Sequence, residues 1–234
     1  MDIDDKKKDM QNLYKDKCDY IDDGFEIEMP IIKESIISET EYNRFIQPYY
    51  DAMQNIYSRI NILNQDYRRK TKNYAIHNTQ ARIKKLDSAI GKLERKGENI
   101  SLENIKNKLT DIAGVRVICY FIEDVYSVVN LLKEQSDIIV IAEDDYIKNP
   151  KKNGYKSYHI VFGVPVYYID GKQYYPVEVQ IRTMSMDFWA SMEHRLCYKK
   201  EDQISEKTLN KIYQYSEMLN DIERKFNKLS KKID

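Results

Sequence analysis

From Tyr42 to Tyr67, apolar and aromatic residues recur at three- and four-residue steps: Tyr42, Phe45, Ile46, Tyr49, Met53, Ile56, Tyr57, Ile60, Leu63 and Tyr67. That spacing lines one face of a long helix. Ser38 and Glu41 form a capping box at its start, and Pro48 must either sit in an early turn or kink it. A second helix is predicted over Thr79–Lys96 and stopped by Gly97. A short third one is capped by Ser101 and runs through Lys108. The period then changes to two. Val115, Val117, Cys119 and Phe121 alternate with Arg116, Ile118 and Tyr120, which reads as a strand. Val125–Leu132 reads as a helix and Asp137–Ala142 as a buried strand. Tyr158–Tyr168 and Tyr174–Thr183 read as two strands of a hairpin, with Asp170-Gly171 as the turn signal. Helical spacing returns over Ser185–Tyr198, and again from about Ser205. There Leu209, Ile212, Tyr213, Leu219, Ile222, Phe226 and Leu229 make a short coiled-coil-like seam. It packs either on its own domain or on another copy of the chain.

Helices, a mixed sheet with a crossover and a hairpin, then helices again: the class is α+β. The chain divides into an acidic N-terminal segment (1–37), one domain (38–200) and a C-terminal amphipathic helix (201–234) suited to oligomerisation. At 234 residues and 42% hydrophobic it has material for one core. No apolar run is long enough to span a membrane, and the Asp- and Lys-rich start is unlike a secretory signal. Cys18, Cys119 and Cys197 are odd in number and scattered, which fits a reducing cytoplasm better than a disulfide framework or a zinc site.

The 38 basic and 38 acidic residues cancel, so global charge gives no reason to expect a DNA-binding protein. Locally they do not cancel. Residues 1–41 carry 13 acids against 6 bases, and residues 66–97 carry 10 bases against 3 acids. The basic stretch would attract a polyanion. On the predicted second helix, Lys84, Ser88 and Lys92 share a face, with Arg95 close by and Arg82 at its start. Two lysines, an arginine and a hydroxyl suit a triphosphate. Arg116 could pair with another arginine to clamp an adenine ring.

Two acids stand out against apolar neighbours. Asp111 immediately precedes the first strand, and Glu178 lies between Val177 and Val179. On adjacent strands they could share one Mg²⁺, which prefers oxygen ligands and keeps phosphates and waters in its shell. The loop from Asp145 to His159 carries four lysines, three tyrosines and Gly154 before a strand. Its lysines can neutralise phosphates, and a tyrosine offers a flat surface to a base. It is not a P-loop.

Five motifs in order resemble the RelA/SpoT alarmone synthetases, in particular the small, synthetase-only, RelQ-like branch. They are Arg82-x-Lys84-x3-Ser88-x3-Lys92-x2-Arg95, Asp111-Ile-Ala-Gly-Val-Arg116, Asn153-Gly-Tyr155-Lys-Ser-Tyr-His159, Glu178-Val-Gln-Ile-Arg-Thr183 and Trp189-Ala-x2-Glu193-His194. The resemblance implies a nucleotidyltransferase-like fold and transfer of pyrophosphate from ATP to the 3′-hydroxyl of GDP, GTP or GMP in the stringent response. By this likeness Arg82 and Arg116 sandwich adenine, while Lys84, Lys92 and Arg95 hold the ATP phosphates, assisted by Ser88. Asp111 and Glu178 bind Mg²⁺, and Glu178 helps deprotonate the attacking hydroxyl. Tyr155 stacks on guanine, and Lys151 and His159 contact the acceptor. Arg59 is a further phosphate candidate. The likeness also implies a homotetramer.

The chain departs from the family pattern in places. None of His77, His159 and His194 precedes an aspartate, so no alarmone hydrolysis is expected. Asn78 and Asp187 stand where the RelQ-like regulatory cleft has other residues, which argues against strong activation by product. Asp144 stands where a basic residue is common, which disfavours a 5′-triphosphate acceptor. Two competing readings remain open from the residues: a single-stranded RNA binder or nucleotide sensor using the basic helix and tyrosine loop, and a different nucleotidyltransferase. RNA also remains open as a regulator of the enzyme.

Overall fold

A computed structural model describes residues 37–197 and 205–233. The acidic segment read over 1–37 falls outside the described residues except for Ile37, as does the boundary near 200. The elements are α1 (Glu39–Thr71), β1 (Ile76–Ile83), α2 (Leu86–Arg95), α3 (Leu102–Lys108), β2 (Ala113–Cys119), α4 (Ile122–Lys133), β3 (Ile139–Asp145), β4 (Tyr158–Tyr168), β5 (Gly171–Thr183), α5 (Met184–Cys197) and α6 (Glu206–Ile233).

Helix α1 begins with the expected box: the Ser38 hydroxyl accepts from Glu41 N–H, and Glu41 accepts from Ser38 N–H. Pro48 lies well past the first turn, and the helix continues through it. Tyr42, Tyr49, Ala52, Met53, Ile56 and Ile60 are its buried face. They share one core with Val125, Val128, Val129 and Leu132 of α4 and with the inward residues of the sheet.

The sheet order is β1-β2-β5-β4-β3. β2 and β5 are parallel and the other pairs antiparallel. Parallel neighbours require a crossover, which α4, β3 and β4 supply. Pro176 is tolerated on β5 because the pairing to β2 begins only at Gly114–Glu178. In the hairpin Tyr168 pairs with Gly171, so Ile169-Asp170 form the two-residue loop. Gly171 takes the left-handed conformation (φ 108°) that turns the chain into β5.

One predicted element is wrong. The helix read over Thr79–Lys96 is a strand, β1, followed by the shorter helix α2. β1 is an edge strand whose side chains are mostly exposed on both faces, so it lacks an apolar alternation to betray it. Its pairing with β2 is a long-range contact that local spacing cannot reveal. Lys84 therefore precedes α2 instead of sharing a helical face with Lys92.

Ile56 is fully buried, whereas Ile62 is exposed on the other side of α1. Truncating Ile56→Ala should cost about 2–5 kcal/mol in urea unfolding, and Ile62→Ala less than about 0.5 kcal/mol.

Candidate active site

Ile83 of β1 sits opposite Ala113 of β2, so the next residues out, Lys84 and Ile112, also meet. Lys84 N–H donates to the Ile112 carbonyl at 2.9 Å, and the Lys84 carbonyl accepts from the Tyr42 hydroxyl at 2.7 Å. With its backbone fixed by sheet and α1, Lys84 points its ammonium at Asp111 Oδ2, 2.9 Å away. Lys92, on the inner face of α2, donates to the same oxygen at 3.1 Å. All three residues are buried. Burial resists the charge on Asp111, but the two ammonium groups overcome it and hold the carboxyl well below the usual range.

The other oxygen, Asp111 Oδ1, is buried and accepts no hydrogen bond. A charged oxygen left so is costly unless a cation takes it. Glu178 is also buried, on β5 opposite Gly114 and Val161. Burial first, and then the negative charge of Asp111, raise its carboxyl to about 7. Two acids close enough to repel, one with an unused buried oxygen, fit a hard divalent cation such as Mg²⁺ that completes its shell with phosphate and water. Among the described residues no group of three or more His, Cys, Asp or Glu could hold a metal without such help.

The strand register extends the site across the sheet. Gln80, Arg116, Gln180, His159 and Asp144 occupy successive partner positions on β1, β2, β5, β4 and β3. Arg82 pairs with Gly114 in the neighbouring row, which makes Arg82 and Arg116 diagonal neighbours on one face. At Glu178, Gln180 and Arg182 the period of two puts three polar side chains on this face, while Val177, Val179 and Ile181 enter the core. Arg182 is fully buried. Its Nη2 donates to Gln180 Oε1 at 2.8 Å, and its Nε lies 3.5 Å from Asp187. Sequence reading gave Gln180 and Arg182 no role, although their alternation with Glu178 was the signal that pointed to them.

His159 is buried, and its imidazole is held well below its ordinary pKa by burial and then by the positive charges of Arg182, Lys151 and Arg116. It is therefore neutral, and its 3.8 Å approach to Glu178 is not an ion pair. The Tyr155 hydroxyl meets His159 Nε2 at 2.8 Å. Lys151 lies 5.5 Å from the centre of the Tyr155 ring. The acceptor candidates Lys151, Tyr155 and His159 are thus brought together. Lys84, Lys92 and Asp111 are brought together on the other side of Glu178, with Ser88 one turn before Lys92 on α2.

Other candidates stand apart from this cluster or take a different role. Arg95 and Arg82 are on exposed positions beside it. Arg59 instead makes a two-pronged ion pair with Asp137, at 2.7 and 2.6 Å, and belongs to the scaffold. Asp187, expected at a regulatory cleft, stands 3.8 Å from Arg116 on the active face. Arg68, Arg69 and Lys72 of the basic stretch line a separate open cleft with Gln65 and Tyr74.

A mixed sheet carrying two buried acids beside a cationic wall and an aromatic loop suits the binding of nucleotide phosphates. Residues 81–203 match the region found in RelA/SpoT proteins, and the chain belongs to that family. It is 36% identical to the Bacillus subtilis GTP pyrophosphokinase YwaC, over 80% of this chain and 89% of that one. It is 33% identical to the B. subtilis GTP pyrophosphokinase YjbM, over 77% and 84%. Among solved structures, small alarmone synthetase 1 from B. subtilis bound to its product pppGpp superposes with a TM-score of 0.75 at 31% identity, covering 84% of this chain and all of that one. A GTP pyrophosphokinase family protein from Streptococcus pneumoniae also matches with a TM-score of 0.75, covering 84% and 96%.

Removing one lysine leaves Asp111 undercompensated in a dry place. Lys84→Met should lower stability in nucleotide-free urea unfolding by about 3 kcal/mol, whereas Arg82→Met, at an exposed position, should change it by less than about 0.5 kcal/mol.

Proposed function

We propose that this chain is an alarmone synthetase that transfers pyrophosphate from ATP to the 3′-hydroxyl of a guanosine nucleotide. The observation that carries the reading is the buried pair Asp111 and Glu178, with Lys84 and Lys92 bound to one oxygen of the first acid and its other oxygen buried without a hydrogen bond. The relatives named above support the same reading.

The acceptor 3′-oxygen attacks the β-phosphorus of ATP and forms the new P–O bond. The bond from that phosphorus to the α,β-bridging oxygen breaks, and AMP leaves. The hydroxyl proton passes to Glu178, whose raised proton affinity suits a general base near neutral pH. Lys84 and Lys92, joined by Arg95 and Ser88, neutralise the donor's phosphates, and Arg82 and Arg116 flank its adenine. Lys151, Tyr155 and His159 receive the acceptor. Asp111 and Glu178 would hold Mg²⁺, which when bound spreads the charge of the transferred group and acidifies the attacking hydroxyl. The protein residues mainly neutralise and align the reactants, as phosphoryl transfer requires. A binding module has no need for two acids buried against each other, so the RNA-binding reading is disfavoured.

Two further features belong to this reading. The outer side of α6 exposes Tyr215, Met218, Ile222, Phe226, Leu229 and Ile233, which supports a homo-oligomer, a tetramer by family likeness, built on this helix. Cys119 and Cys197 are buried cysteines, which fits the cytoplasmic enzyme proposed here. No described helix is long and apolar enough to cross a membrane.

Purified protein incubated with Mg²⁺, ATP and GDP should release AMP and a more highly phosphorylated guanosine nucleotide, separable by anion exchange. Asp111→Asn and Glu178→Gln should each reduce AMP release by about 100-fold or more with unfolding curves still cooperative. Full activity in either variant would remove the role given to that acid.

Asp144 lies opposite His159, and its Oδ2 is buried without a hydrogen bond. Its charge should weaken an acceptor with a third phosphate. The ratio of kcat/KM for GDP to that for GTP should therefore exceed one, and Asp144→Asn should move it toward GTP by about 3- to 10-fold. An unchanged ratio would exclude Asp144 from acceptor choice.

A further inference from the structure

The segment that carries Tyr155 is fastened by a helix lying more than fifty residues further along the chain. Gly154 is buried and adopts φ 95°. A methyl group added there would come within 2.9 Å of Ser216 Cβ and 3.3 Å of the Tyr213 ring, so the loop backbone lies directly on α6. Ser216, itself buried, donates its hydroxyl to the Gly154 carbonyl at 2.7 Å. One residue on, Glu217 accepts from the Lys156 ammonium at 2.8 Å, and the Lys156 side chain is largely covered. Tyr155 stands between these two anchors. From α5, Glu193 accepts from Asn153 at 3.1 Å. The sole tryptophan, Trp189, donates to the Ile212 carbonyl of α6 at 2.9 Å, and its ring lies 6.5 Å from that of Tyr155.

Helix α6 is held in turn by the core of the domain. Thr183 and Ser185, at the β5–α5 junction, both donate to Glu223 Oε2. Near the far end of the helix, Asn227 and Lys231 bind Glu123 of α4. The helix therefore connects the strand that bears Glu178 to the loop that bears Tyr155, and its contacts to the loop reach backbone and flanking residues without touching Lys84, Lys92 or Asp111.

We infer that Ser216 and Glu217 of α6 are positioning residues that hold the 153–156 segment in the shape that receives the acceptor nucleotide. This rests on the assignment of Tyr155 to the acceptor side. Without Ser216 the Gly154 carbonyl loses its partner, and without the Glu217 charge Lys156 is released. The loop then has to be ordered by the nucleotide itself, and that cost appears in acceptor affinity. Donor affinity, set by β1, α2 and β2, does not share it.

The double variant Ser216→Ala/Glu217→Gln tests this. The expected result is a rise in the acceptor KM of about 3- to 10-fold, with the ATP KM and the melting temperature close to those of the parent. Gly154→Ala should act in the same direction, by collision at the same contact. A matching arm needs no catalysis: backbone amides of 151–157 should exchange with deuterium faster in the double variant, while those of β2 and β5 do not change. An acceptor KM equal to the parent's, an equal rise in both KM values, or unaltered exchange at 151–157 would overturn the proposal. If the parent transfers nothing to any guanosine nucleotide, the functional reading fails, and the exchange arm still decides whether α6 holds the loop.

Discussion

The site depends on keeping one carboxylate charged in a place nearly free of water. Asp111 is ionised there because Lys84 and Lys92 both bind one of its oxygens. A buried acid without such partners would take up a proton. Glu178 shows the contrast within the same site: equally buried and facing the negative charge of Asp111, it has its proton affinity raised. Environment alone thus pushes the proton affinities of two similar groups in opposite directions. The lysines have a second consequence. By taking one oxygen of Asp111 they leave the other without a hydrogen bond, which is the oxygen the proposed cation would use.

That balance requires Lys84 and Asp111 to arrive from two directions. The β1–β2 register delivers both, since each lies just past an antiparallel pair that ends at Ile83–Ala113. The parallel β2–β5 pairing then sets Glu178 beside Gly114. Gly114 itself stands between Arg82 of β1 and Glu178 of β5, its partners on either side. Sheet register therefore fixes the relation of the arginines to the acids, and one slip would turn the polar row into the core.

Much of this was legible in the sequence. The capping box, the hairpin, the long first helix and the two acids all carried local signals, either a cap, a turn dipeptide or a polar residue breaking an apolar alternation. The β1 strand was not legible. Its residues His77–Arg82 are nearly all polar, because this edge strand has little to bury on either face. Helical spacing among Lys84, Ser88 and Lys92 was read instead. The shared helical face expected for the two lysines is absent, and they meet instead through Asp111, a partner neither spacing nor propensity discloses. Arg59 failed for the same reason, since its partner Asp137 is a tertiary contact across 78 residues. The links from Ser216 and Glu217 to the acceptor loop were also silent, because a serine and a glutamate on a helix carry no mark of what they touch.

The two halves of the site are built differently. The donor side comes from a short stretch, Arg82 to Arg116, in which a hairpin-like strand pair and an adjoining helix position the side chains with core residues beneath them. Of its parts, Lys84 and Lys92 are held by buried ion pairs to Asp111, while Arg82 and Arg95 are exposed. The acceptor side is assembled from a loop, the β4 strand and two C-terminal helices, joined by single hydrogen bonds and by a small separate cluster around Trp189 and Ile212. A transferase that must admit a large acceptor and release a larger product gains from placing part of its proposed acceptor side on such a loop. Helix α6 sits on the boundary: its inner side, with Ile212, Ser216 and Glu223, is buried on the domain, while its outer side remains apolar and exposed. Anything that covers the outer side therefore meets a helix already held at two places, to the β5–α5 junction through Glu223 and to α4 through Asn227 and Lys231.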